Sequence, residues 1–318
     1  MISSASITAR DVITLSRDID VAGERAVLYS RVKRGELVAL FRGVYVDAEA
    51  WGRSSQDERY LLRVHAASCY MRDDELLSHW SAAGLWRLPS IASWPTRAHV
   101  RGPVRDGGRS SAMFARHENA VLHAGEHLDG LPVTTLACTV VDMAAVAPFP
   151  AAVAMADAAL RRTGHPSPLA PATTLTRAVL RAEAERVPVR RGSARIRRVI
   201  EFADGRADRA GESVSRVSIH LAGLPAPELQ VPMRGASGRN YTVDFWWPRF
   251  SLIGEFDGQT KYRDPEFLNG RTPQQAVYDE KLREDDLRAT GKGMSRWPWK
   301  VAVSPPRLRA HLAAAGIR

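Results

Sequence analysis

One stretch limits what this chain can fold into more than any other: residues 241 to 258, reading YTVDFWWPRFSLIGEFDG. Two β-prone runs, YTVDFWW and SLIGEFDG, flank Pro248-Arg249-Phe250, where the proline interrupts the ladder and favours a turn. Side chains alternate along a strand, so Glu255 and Asp257 are expected on one face, with Gly254, Phe256 and Gly258 on the other. A hairpin turning near Pro248 sets Asp244 beside that pair. Carboxylates gathered on one sheet face repel one another unless a cation neutralises them. Mg2+ suits such a place, because it takes a few carboxylates and keeps several waters. A solvated strand edge is the other reading of an acidic pair, and it is the poorer one because EFDG follows the apolar run SLIG. Gly254 and Gly258 flank the pair and are expected to leave room for backbone or substrate.

The neighbouring segments extend the pattern. GESVSRVSIHLAGL is a helix with Val214, Val217, Ile219 and Leu221 apolar and Glu212 in its first turn. ELQVPM is a short strand carrying Gln230, TPQQAVYDEKLREDDLRATG is a charged helix, MSRWPWKVAV is a last strand, and PPRLRAHLAAAG is a terminal helix. Helix, three strands, helix, strand is the core order of restriction-endonuclease-like folds. Trp246, Trp247, Trp297 and Trp299 read as core or rim packing.

The string QVPMRGASGRNYTVDFWWPRFSLIGEFDGQTKY, continuing to EKLREDDLRATGKGMSRWPW, resembles the very-short-patch-repair-type branch of PD-(D/E)XK nucleases. By that resemblance Asp244 is the acid of the first motif and Glu255 the acid of the second. Glu212 is the helical glutamate that some members add, and Gln230 matches a polar residue on the first strand. The resemblance implies phosphodiester hydrolysis with Mg2+ or Mn2+ held by Asp244, Glu255 and Asp257. The family pattern puts a lysine two positions after the second acid, where this chain has Asp257. Lys261 is expected to reach back in its place. Lys281 is an accessory candidate for the scissile phosphate; otherwise its helix is a solvated one, laced by pairs such as Glu284 and Arg288 at i, i+4.

At the other end, Ile7, Val12, Leu15 and Ile19 are spaced for a helix face. In GERAVLYSRVKRGEL, Val27, Leu28 and Val32 are expected inward, with Arg25, Tyr29, Arg31, Lys33 and Arg34 outward, and Gly35 stops the helix. ELVALFRGVYVD then gives two β-prone runs turning at Arg42-Gly43. Helix, helix and a two-stranded wing is the order of a winged helix, whose basic second helix enters the major groove. VKRGELVALFRGVYV resembles the N-terminal winged helix of the AbiEi-like antitoxin family, and the likeness continues more weakly through LLSHWSAAGLWRLP and VTTLACTVVDMAA. Members of that family are transcriptional autoregulators. Arg25, Arg31, Lys33, Arg34 and Arg42 are the expected DNA contacts.

Residues 50 to 185 read as mostly helical, with helices over 55–72, 79–87, 136–147 and 150–163 and strands over 97–104 and 111–123. His79, His99, His117, His123 and His127 show no ligand spacing on one element and read as capping, surface or satisfied side chains. Only Cys69 and Cys138 occur, both in apolar runs, so neither a zinc site nor a disulfide framework is expected. The opening MISSASITARDVITLSRD lacks an apolar signal core, and no run approaches membrane-spanning length, so a reducing cytoplasm is expected. At 318 residues, 45% hydrophobic and 25% charged, the chain has material for two or three globular units. A net charge of +10 favours a polyanionic partner, although an arginine-rich composition alone also produces it.

The expectation is therefore an α+β chain with a winged-helix DNA-binding head at 1–48, a helical and β connector at 49–185, and a restriction-endonuclease-like α/β core at 186–318. Its partner would be DNA and not a membrane, with a homodimer as the expected assembly. The activity would be that of a metal-dependent DNA endonuclease, in defence against foreign DNA or a toxin–antitoxin-like locus. The competing reading is a non-catalytic DNA-binding regulator or antitoxin.

Overall fold

A computed structural model of the chain describes residues 12–19, 22–103, 111–118, 125–162, 175–186, 192–258 and 272–317. In chain order the elements begin with β1 (Ile13–Leu15), α1 (Ala22–Lys33), β2 (Leu37–Phe41), β3 (Val44–Asp47), α2 (Ala48–Arg53), α3 (Gln56–Ser68), β4 (Leu76–Leu77) and α4 (His79–Leu85). Next come β5 (Ala98–Gly102), β6 (Phe114–Glu118), β7 (Gly125–Leu128), β8 (Leu131–Thr134), α5 (Leu136–Val146), α6 (Phe149–Arg161), α7 (Arg177–Glu185) and α8 (Ser193–Phe202). Last are α9 (Ala210–Leu221), β9 (Glu228–Arg234), β10 (Asn240–Trp247), β11 (Leu252–Asp257), α10 (Pro273–Arg288), β12 (Gly293–Pro298), α11 (Trp299–Ala302) and α12 (Pro305–Ala314). Helices and three sheets among the described residues make this an α+β protein. None of the described helices is long and apolar enough to cross a membrane.

The chain divides into two compact units, Met1–Val146 with Pro168–Ile196, and Ala147–Ser167 with Arg197–Arg318. These boundaries differ from the segments 1–48, 49–185 and 186–318. The helix α6, expected in the connector, belongs to the second unit. Asp157 explains this: it is fully buried, it pairs with Arg216 at 2.6 Å, and it accepts the Asp204 backbone N–H at 2.6 Å. A buried carboxylate is tolerated only with its partners, so α6 follows Arg216 of α9.

In the first unit, β1, β3 and β2 form an antiparallel sheet in that order, with Ile13 opposite Val46 and Val38 opposite Val46 on the other side. The helix expected to run through Leu15 is a strand there, because β-branched Ile13 and Thr14 pair with β3; Ile7 lies outside the described residues. On α1, Leu28 and Val32 pack toward Leu37 and Tyr45, while Val27 is 57% exposed. Residues at i and i+4 share a helix face and the residue before them does not, so the expected inward position of Val27 is corrected. A second, five-stranded sheet has the order β6-β5-β4-β8-β7. The helix α5, buried over nearly its whole length, follows β8 directly.

The second unit is built on a mixed sheet, β12-β11-β10-β9, with β12 parallel to β11 and the other pairs antiparallel. Phe245, Trp247, Leu252, Phe256 and Trp297 pack with Ile219 of α9 and Leu308 and Leu312 of α12. Met233, Val243, Ile253 and Met294 pack with Leu287 of α10. Gly211 decides how α9 sits, since a Cβ there would overlap the Phe256 ring. The space beside Gly254 is taken by the rings of Trp247 and Trp297, each 2.7 Å from where a Cβ would lie, so this glycine makes room for core aromatics and not for substrate. The strand expected over MSRWPWKVAV ends at Pro298, which cannot donate to a ladder, and α11 follows. Trp299 is exposed, with its edge against Phe256.

Candidate active site

Four polar side chains, Glu212, Gln230, Asp244 and Glu255, meet over one part of the second unit's sheet. Val243 and Phe245 lie two apart on β10 yet join different cores, so the alternation of faces breaks at Asp244. The pairs Val243↔Val231 and Phe245↔Leu229 bracket Asp244 opposite Gln230. Gln230 has φ +51°, a left-handed backbone costing a non-glycine residue roughly 1–2 kcal/mol. That turn sends its carboxamide to Glu212 Oε2, to which Nε2 donates at 2.9 Å, with Asp244 Oδ1 3.5 Å from the same nitrogen. Glu212, in the first turn of α9, also accepts the Asp208 N–H at 2.8 Å.

The register Phe245↔Gly254 carried one step further puts Asp244 across from Glu255. Asp244 Oδ2 accepts the Phe256 N–H at 2.9 Å, which ties it to β11. Glu255 is 4% exposed. Its Oε2 accepts from Arg283 Nη2 at 2.6 Å, with Arg296 Nη2 at 3.7 Å, while its Oε1 is buried and has no hydrogen-bond partner among the described residues. Burial, and then repulsion by Asp244, pushes Glu212 up to about 8. The same two causes push Glu255 up to about 7 against the pull of Arg283 and Arg296. Asp257, at the end of β11, is half-buried and makes no hydrogen bond or ion pair among the described residues. Lys261 lies outside the described residues. Lys281 is exposed on α10 and makes no such contact among the described residues.

Arg283 is the functional candidate that sequence reasoning missed. It reaches Glu255 from α10 and also donates to Glu280, through Nε at 3.0 Å and Nη2 at 2.8 Å. Arg296 lies opposite Glu255 in the parallel register of β11 and β12, and it pairs with Glu280 and Glu284. A signal for Arg283 was present in the sequence. Ala276, Glu280, Arg283 and Leu287 are spaced by four, three and four residues, one face of a helix, and Ala276 and Leu287 are buried. Among the described residues, no three His, Cys, Asp or Glu side chains are placed so as to hold a metal ion as they stand. The donors nonetheless suit a hard divalent cation in kind: carboxylates, one carboxamide oxygen, and one buried carboxylate oxygen with nothing to accept.

Of the expected DNA contacts, Arg31 and Arg34 both pair with Glu36, at 3.2 and 2.5 Å, and Arg25 donates to the Ile19 carbonyl at 2.8 Å. Lys33 and Arg42 are exposed, with no hydrogen bond or ion pair among the described residues.

Three of the histidines, expected as satisfied side chains and not as ligands, lie together. His79, His99 and His117 come together from α4, β5 and β6 in the first unit. The rings of His79 and His117 stack at 3.5 Å, and His99 Nδ1 is 2.9 Å from His117 Nε2. Beside them, Asp142 forms a buried ion pair with Arg101 and lies 3.6 Å from His79 Nδ1. Arg101 also donates to Cys138 Sγ at 2.8 Å, and burial pushes that thiol up to about 12. Cys138 is therefore no nucleophile at neutral pH.

No family model matches the chain. A crystal structure of the RV2827C protein from Mycobacterium tuberculosis aligns with a TM-score of 0.33 and 17% identity over 61% of this chain and 73% of that one, a likeness too distant to bear on the fold. The uncharacterized protein Rv2248 of M. tuberculosis strain ATCC 25618 / H37Rv is 31% identical over 250 residues, covering 78% of this chain and 84% of the relative. The uncharacterized protein MT2308 of strain CDC 1551 / Oshkosh matches to the same extent, 31% over 250 residues. Identity at this level across most of both chains places the protein in one family with Rv2248 and MT2308.

Proposed function

We propose that the second unit is a divalent-cation-dependent nuclease module acting on DNA, and that the first unit opens with a winged helix that binds the duplex. One observation carries the nuclease reading: among the described residues Glu255 keeps a buried oxygen with no donor, beside a second carboxylate, Asp244. An unpaired buried acceptor of this kind is costly, and a cation relieves it. The sheet with α9 and its Glu212 on one core and α10 on the other is compatible with a restriction-endonuclease-like arrangement. In the first unit, α1 followed by the β2-β3 hairpin of the β1-β3-β2 sheet is compatible with a winged helix.

Asp244 and Glu255 would hold Mg2+ or Mn2+, with Asp257 at the strand end as a further ligand. The ion would supply an activated water and stabilise charge on the phosphate. Gln230 orients Glu212 and stands beside Asp244, so these two position the ligand set. A place in defence against foreign DNA or in a toxin–antitoxin-like locus rests on the resemblance alone. The non-catalytic regulator remains the second reading, favoured by Asp257 at the family's lysine position and by the guanidinium seated on Glu255.

Incubating the purified protein with supercoiled plasmid separates the two. Cleavage is expected with Mg2+ or Mn2+, none with EDTA, and none from Glu255→Ala with metal-free DNA affinity retained. If the wild type cuts no duplex, single-stranded or modified DNA, the regulator reading replaces the nuclease.

A further inference from the structure

We propose that Arg283 holds the place of the divalent cation on Glu255, gives way to it, and then serves as the positive charge that meets the phosphodiester. This rests on the nuclease reading of the same site.

Three observations lead to it. The strand position where the resemblance puts a lysine is Asp257, so β11 supplies no cation of its own. Among the described residues Arg283 is the closest cation to Glu255, at 2.6 Å, and its side chain is 17% exposed. The second oxygen of Glu255 is buried and has no partner among the described residues, so half of the carboxylate stands ready while the other half is taken.

Arginine cannot leave by losing its proton, because its guanidinium stays charged throughout the usual pH range. It must leave as an ion. A guanidinium and a divalent cation on one carboxylate oxygen repel strongly in a half-buried site. Arg283 has somewhere to go: Glu280 already accepts from its Nε and Nη2, and the Thr242 carbonyl lies 3.4 Å from Nη1. Release from Glu255 therefore costs one of its ion pairs and leaves the other. The Nη2 N–H freed in this way, beside Nη1, can turn to a phosphate, which accepts N–H donors from arginine.

The exchange makes an expectation that a merely structural Arg283 does not. Removing a resident competitor should tighten cation binding even as it slows cleavage. Calorimetric titration of the full chain with Mn2+ in the absence of DNA is expected to give about tenfold tighter binding for Arg283→Ala than for wild type. Plasmid cleavage by the same variant is expected to fall about 100-fold. Arg283→Lys keeps a charge without the fork, so it should fall between in both measurements, and it serves if the alanine variant does not fold. Mn2+ affinity equal to or weaker than wild type in both variants, or wild-type cleavage in either, overturns the exchange while leaving the nuclease reading in place. A wild type that neither binds Mn2+ nor cuts DNA overturns both.

Discussion

The carboxylates of the second unit and the imidazoles of the first bury titratable groups on a sheet, and burial drives both toward the neutral form. The outcome is opposite in pH. Glu212 and Glu255 are raised to about 8 and about 7 by burial and by Asp244. His99 is lowered to about 4 by burial, then by His117 and Arg97. The difference that matters is in what stays unsatisfied. His99 and His117 satisfy each other across 2.9 Å, and Asp142 beside them has its own arginine. Among the described residues Glu255 leaves one buried oxygen open and the other on an arginine that also serves Glu280. A neutral imidazole can act as both donor and acceptor, so a buried group of them can close on itself. Carboxylates that stay ionised only accept, so an acceptor left open in a buried group of them is one that a proton or a cation would have to fill. The first cluster accordingly reads as packing, and the second is where the ligand site is proposed.

The sharpest way to break that comparison is at the ion pair beside the imidazoles. Asp142→Asn leaves Arg101, 5% exposed, without its counter-charge, and should cost about 3–5 kcal/mol in urea unfolding. A cost under about 1 kcal/mol would mean that this cluster is not held by its charges. A smaller effect is expected from His99. Between its unfolded value of 6.5 and its folded value of about 4, the unfolded chain binds the extra proton. Stability present above pH 6.5 is therefore lost as pH falls through this window, by at most roughly 3 kcal/mol. His99→Gln should flatten the acid limb of stability against pH, and an unchanged limb would remove His99 from the account.

The smallest effect is expected from Glu212, with the opposite sign. Its folded value of about 8 lies above its unfolded 4.5, so the folded chain binds the extra proton in between. Stability present below pH 4.5 is lost as pH rises through about 8. In metal-free protein, Glu212→Gln should therefore gain about 1–2 kcal/mol at alkaline pH relative to wild type and little at acid pH. Equal shifts at both ends, read from thermal melts, would show that Glu212 is not held near neutrality by its neighbours.

Much of the second unit was legible residue by residue. The strands around Pro248, the helix carrying Glu212 and the charged helix after residue 272 all follow from local period and local caps. Thr272 and Gln275 form a capping box at the start of α10, as Ser55 and Glu58 do for α3. These signals act over a few residues, so the sequence by itself determines them. The approach of Asp244 to Glu255 was also readable, because a hairpin joins its own neighbours.

What only tertiary structure decided is what joins distant segments. Arg283 meets Glu255 across 28 residues, and His99 meets His117 across 18. Spacing along α10 puts Arg283 on its buried face, but neither partner can be read from spacing along one element. The left-handed turn at Gln230 and the break of alternation at Asp244 were hidden too, since β-propensity describes an unbroken ladder. The helix α6 left its expected segment because Asp157, once buried, needed Arg216 across 59 residues. Local sequence selects helices and strands by steric preference and hydrogen-bond period. Which charges meet is set afterwards by the cost of burying each without a partner, and only the packed chain settles that.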